Sequence, residues 1–87
     1  EVTCRYYLRL SALDHPGVLA AIAKHLGDHG VSIASVVQKE RSKGDKVPVV
    51  ILTYEAKEQD MQAALKEIDA LPAVKGKTLL LRVERGE

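Results

Sequence analysis

At 87 residues the chain makes one small domain, residues 1–87, which buries only about 60 to 65% of its unfolded surface, so a partner subunit would widen a thin margin of stability. Thirteen Lys and Arg face twelve Asp and Glu, spread as +6 −4 over residues 1–43 and +7 −8 over residues 44–87, which leaves neither a basic patch for nucleic acid nor an acidic tail. All three aromatics are Tyr, the lone Cys4 excludes an internal disulfide or a Cys-x-x-Cys pair, and no apolar run nears the roughly 20 residues of a membrane span, so we expect a cytosolic protein with no nucleic-acid or membrane partner.

From Cys4 to Ala12 the residues alternate. Cys4, Tyr6, Leu8, Leu10 and Ala12 share one face, Arg5, Tyr7, Arg9 and Ser11 the other, the pattern of a half-buried strand. Cys4, on the apolar face, reads as a small, inert core residue. The chain enters this strand almost directly from Glu1, and is expected to be a domain of a longer protein.

The stretch Leu13-Asp14-His15-Pro16-Gly17-Val18-Leu19 then turns strand into helix. Pro16 suits the first helical position, because its ring presets φ and its missing donor would be unpaired there anyway. Asp14 stands where a carboxylate caps a first turn. Gly17 lets other atoms approach the backbone, and a helix N-terminus carries roughly half a positive charge that favours carboxylate or phosphate. This corner is the candidate site for a small anionic ligand.

Leu19, Ile22, Ala23 and Leu26 follow at i, i+3, i+4, i+7, predicting a helix from about Pro16 to His29, with Gly30 as the left-handed residue that ends it. His25 and His29 have the i, i+4 spacing of paired metal ligands but lack the intervening glutamate of a zinc-protease motif. They read as solvated histidines at the negative end of the helix dipole, and no metal site is expected.

Val31 to Gln38 is the second strand, and the polar loop Arg41-Ser42-Lys43-Gly44-Asp45 separates it from a third, Val47 to Tyr54, with regular pairing expected just after Pro48. Met61, Ala64, Leu65 and Ile68 repeat the helical template, closed by Leu71-Pro72. Lys57, Glu58, Asp60, Lys66, Glu67 and Asp69 read as its wet face. Val74 to Val83, with a bulge or coil at Lys75-Gly76-Lys77, is the last strand.

Right-handed crossovers fold the order strand, helix, strand, strand, helix, strand into an α+β, ferredoxin-like βαββαβ sandwich. A four-stranded antiparallel sheet of order 4-1-3-2 carries both helices on one face. The second strand, residues 31–38, then lies at an edge with no proline or charge to protect it, and pairing with another subunit is the simplest protection.

The constellation Asp14-His15-Pro16-Gly17-Val18-Leu19, Leu26 and Gly30-Val31-Ser32-Ile33 resembles the ACT domain, a regulatory module that binds amino acids. Within that family, Tyr7-Leu8-Arg9-Leu10, the run from Gly30 to Glu40 and Val47-Pro48-Val49-Val50-Ile51-Leu52-Thr53 look like the C-terminal ACT domains of homoserine dehydrogenases. The resemblance implies a homodimer paired through the edge strand, with a small amino acid effector, threonine by position in the pathway, held between the first turn of one domain and the second strand of its neighbour. The implied site is Asp14, His15, Pro16, Gly17, Val18 and Leu19 from one copy, with Ser32 and Ile33 from the other. Asp14 would face the ammonium or polar side chain, and the amides of Gly17, Val18 and Leu19 would take the carboxylate. Ser32 stands where relatives commonly carry Asn, and its hydroxyl is shorter and has one donor where the amide has two. The resemblance further implies a catalytic domain elsewhere in the parent, and no cofactor is expected in this part.

Other readings remain beside this one. Asp14 is equally a plain helix cap. A ligand-silent dimerisation module is the main alternative, motivated by Ser32. Hydrolysis through Asp14, His15 and a serine needs a cleft and oxyanion hole, which so small a sheet is not expected to supply. An acyl phosphatase of the same fold needs an Asn, and the chain has none. Without a Gly-x-Gly-x-x-Gly fingerprint, dehydrogenase chemistry would lie outside this stretch, so the domain itself is read as noncatalytic.

Overall fold

A computed structural model describes residues 3–13, 17–38 and 46–83. Along the chain run β1 (Thr3–Leu13), α1 (Val18–Asp28), β2 (Ile33–Gln38), β3 (Lys46–Thr53), β4 (Ala56–Lys57), α2 (Glu58–Asp69) and β5 (Val74–Val83). β1 is central. β3 pairs antiparallel with one of its edges and β5 with the other, Leu8 standing opposite both Ile51 and Leu80. β2 pairs with β3 alone, so the main strands lie in the order β5-β1-β3-β2, as 4-1-3-2 requires.

A fifth, two-residue strand departs from the four expected. β4 pairs Cys4 with Ala56 and Thr3 with Lys57, resuming the β3 ladder one residue out of register. The buried Thr53 bridges the interruption. Its hydroxyl oxygen accepts from the Tyr6 amide at 3.0 Å and its hydroxyl donates to the Tyr54 carbonyl at 2.8 Å, satisfying groups that a regular ladder would have paired. β5 carries the expected irregularity. Two extra residues fit between the pairs Arg9 with Leu79 and Ser11 with Lys75, where Gly76 takes φ 79°.

Both helices cover one face of the sheet, and the core forms between them. Tyr6, Leu8, Leu10 and Ala12 of β1 meet Val49 and Ile51 of β3, Ile22 and Leu26 of α1, and Met61, Ala64, Leu65 and Ile68 of α2. Cys4, expected to be buried, is only half-buried and packs at the edge of this cluster as a free thiol.

α1 starts at Val18 and not at Pro16, because Gly17, with φ 86°, is its N-cap. Its end follows the sequence closely. The Val31 amide donates to the Leu26 carbonyl at 2.9 Å and the Gly30 amide to the Gly27 carbonyl at 3.0 Å, with Gly30 at φ 77° and both Val31 and Leu26 in the core. That is a Schellman ending, and it holds residues 31 and 32 outside β2, which begins at Ile33. β3 starts earlier than expected on its β1 side, at Lys46, running through Pro48 opposite Ser11; toward β2 its described pairing begins at Val49, just past the proline.

Candidate functional site

Among the described residues, the first helix donors at the corner between β1 and α1 have no partners. Ala21 makes the first α1 bond, to the Gly17 carbonyl at 2.9 Å, so helix geometry gives the amides of Val18, Leu19 and Ala20 no intrahelical acceptor. Gly17 has no side chain to cap them, and the first turn holds no acidic residue. α2 differs, with Glu58 and Asp60 placed to offset its dipole. Among the described residues, the start of α1 is thus the uncompensated positive pole.

That pole opens on a cleft of about 120 Å³ lined by Ala12, Leu13, Gly17, Val18, Leu19, Ile22, Gln38 and Val49. At ~30 Å³ per water it holds about four waters, the scale of a small amino acid. A second, larger hollow of about 270 Å³ adjoins it on the α2 side, between Gly17, Val18 and Ala21 and the turn Leu71-Pro72-Ala73. Gly17 faces open space, since a Cβ there would meet nothing within 4 Å. It is needed for its left-handed backbone and not for crowding.

Of the residues singled out in the sequence, Gly17, Val18 and Leu19 stand at this cleft. Asp14, His15 and Pro16 lie outside the described residues. Ser32 and Ile33 are elsewhere. Ser32 is exposed just before β2, its carbonyl accepting from the Tyr54 amide at 2.9 Å, and Ile33 is half-buried opposite Thr53. The 11 residues of α1, about 16 Å at 1.5 Å each, separate the two groups, so one chain does not bring them together. Gln38 is the polar side chain at the cleft that sequence reasoning missed. The signal was topological: β2 runs parallel to β1, so its last residue reaches the same end of the sheet as Leu13.

The two histidines are not solvated bystanders. His25 Nδ1 lies 2.8 Å from Glu67 Oε1 and His29 Nε2 lies 3.0 Å from Glu67 Oε2, with the imidazoles only about a quarter exposed. The hydrogen bonds from His29 first, then His25, hold the Glu67 carboxyl below its usual range. One carboxylate of α2 is clasped by two imidazoles of α1, a contact 42 residues apart that helical spacing alone cannot show. Neither this cluster nor any other among the described residues has three ligands arranged for a metal ion. The expected wet face of α2 is further tied down by Arg82 bonding Glu58, and by Asp69 accepting from the Thr78 hydroxyl at 2.6 Å and amide at 3.2 Å.

Residues 6–73 match the ACT domain family. The chain belongs to the ACT domain family. Over 97% of its length this ACT domain is 46% identical to a homoserine dehydrogenase from Methylobacillus glycogenes, and over 92% it is 42% identical to one from Pseudomonas aeruginosa. Among solved structures, a homoserine dehydrogenase from Thiobacillus denitrificans superposes with a TM-score of 0.85 at 43% identity, over 95% of this chain and 18% of that one. The ACT domain spans about a fifth of these enzymes, 21% and 19% of the first two. No described helix is long and apolar enough to cross a membrane.

Proposed function

We propose that this ACT domain is the amino-acid-sensing, regulatory part of a homoserine dehydrogenase, pairing with a second copy through β2 and holding a small amino acid, threonine by resemblance, where the copies meet. The observation that carries the reading is the start of α1, uncapped among the described residues, beside a cleft of amino-acid size. Its amides suit a carboxylate.

Strand geometry supplies the rest. A twofold axis makes an interface in which residue i meets j and j meets i, so two β2 edges join antiparallel. Antiparallel pairing sets the beginning of one β2 against the end of the other. Ser32 and Ile33 of the second copy then approach Gln38, which lines the cleft. The two half-sites that one chain keeps about 16 Å apart become neighbours, and Asp14, His15 and Pro16 join the site by resemblance. An effector preferring one arrangement of the paired domains shifts the attached enzyme toward it, by no more than that preference.

Calorimetric titration with threonine and related amino acids, run beside sedimentation, tests the reading. Saturable heat from a dimer is expected. Asp14→Ala and Ser32→Ala should each weaken binding with the fold retained, by about 1 to 3 kcal/mol for a lost polar partner. A dimer that ignores every amino acid would leave the ligand-silent module standing, and a monomer at high concentration would remove the interface altogether.

A further inference from the structure

We propose that the sheet face opposite the helices is a docking surface for an acidic, partly apolar protein surface, supplied by the dehydrogenase portion of the longer enzyme. The inference rests on the reading of the chain as part of a homoserine dehydrogenase, and not on its effector.

Charge on this fold is sorted by layer. No strand residue among those described is acidic; Asp28, Glu58, Asp60, Glu67 and Asp69 are all helical, and Glu55 sits in the β3–β4 interruption. The register places Arg5 and Arg9 of β1, Lys46 of β3 and Lys75 of β5 on the open face, all exposed. Among the described residues no ion pair reaches Arg9, Lys46 or Lys75. Arg5 is held in place, its Nε donating to the Thr53 carbonyl at 3.2 Å and its guanidinium lying 5.5 Å above the Tyr54 ring.

Between these cations runs an apolar band. Val37, Val50 and Leu79 share one register row with Arg9, and Leu52 and Leu81 share the next with Tyr7. Leu79 and Leu81 are 49% and 51% exposed and Val37 48%, although long apolar side chains on strands ordinarily find cover. A contiguous apolar patch rimmed by charge of one sign marks a contact surface.

The sign selects the occupant. A second copy of this face would set cation against cation, which costs several kcal/mol at an interface. A copy docking its helices there would be a heterologous, head-to-tail contact, which unlike the twofold pairing through β2 leads to a ring or a filament. A carboxylate-rimmed apolar surface is complementary, and about four-fifths of each similar enzyme lies beyond the part this chain matches.

The probe is the Methylobacillus glycogenes enzyme lacking its matching fifth, titrated into the 87-residue chain with Tyr fluorescence and amide chemical shifts as readouts. Saturable binding that weakens with salt is expected, with shifts mapping to β1 and β5 on the open face. Arg9→Glu and Leu81→Glu, both at exposed positions, should each cost at least about tenfold. Arg9→Lys and the helix-layer variant Gln62→Lys should bind like the unaltered chain. Absence of binding overturns the proposal, as does binding indifferent to Arg9→Glu and Leu81→Glu. So does adsorption to phosphatidylserine vesicles without binding to the enzyme portion, or self-association abolished by Leu81→Glu. Threonine titration of the same samples keeps the two readings apart: binding threonine but not the enzyme portion sinks docking alone, and the converse sinks the effector reading alone.

Discussion

Tyr6 and Thr53 show how one buried position constrains another. Burial first, and the neighbouring Cys4 second, push the Tyr6 phenol up from 10.0 to about 12. Because the folded state prefers the protonated phenol, this stabilisation is complete below pH 10 and is lost as pH rises from 10 toward 12. Ultraviolet titration should show a late phenol ionisation that Tyr6→Phe removes, and the same variant should flatten the alkaline loss. Thr53→Val keeps the shape but orphans the Tyr6 amide, so about 1 to 3 kcal/mol of stability should go in denaturant melts. The alternation of Tyr6 and Leu8 announced the core face in the sequence. Thr53 gave no such signal, since its importance lies in a ladder interruption that only the β1 register reveals.

At the scale of elements, α1 and α2 are joined by the His25-Glu67-His29 clasp as well as by their apolar seam. Since Glu67 titrates below its usual 4.5 when folded, the clasp contributes above that value and is lost as pH falls through the lowered one. Glu67→Gln should therefore lower the melting temperature near neutrality and reduce its acid dependence, while changing little below the titration. The helices themselves were legible because Ile22, Leu26, Met61, Ala64, Leu65 and Ile68 repeat at helical spacing, and Gly30 marked an end. The start of α1 was not, because Pro16 and Asp14 offered plausible first positions while the left-handed Gly17 is the actual boundary. For the same reason the amide donors of the candidate site were foreseeable and the Gln38 contact was not: the first needs only a helix start, the second needs strand direction. At Gly30, whose φ is 77°, Gly30→Ala should cost about 1 kcal/mol or more through backbone strain, measurable in the same melts.

For the whole molecule, the sequence shows opposite charges interspersed, while among the described residues every acidic side chain but Glu55 lies on a helix and the strands carry only cations. Strands and helices alternate along the chain, so acidic helices and cationic strands blend in a linear count while settling on opposite layers in space. A net charge of +1 thus hides an open sheet face that is cationic among the described residues. Steering by such a separation depends on ionic strength, with a screening length of about 8 Å at physiological salt. The architecture itself was readable from element order and handedness; the layering of charge required knowing which residues share a face.

β1 is the first strand made and the one every larger neighbour needs. Its partners are β3 at residues 46–53 and β5 at 74–83, so its second flank is complete only once the last strand is made. At about 5 to 20 residues per second on a ribosome, the middle of the sheet waits several seconds for its last flank. A nascent chain halted before residue 74 would expose the edge of β1 that β5 covers, so emergence of the last strand, not of the earlier ones, is the event that lets the sheet close.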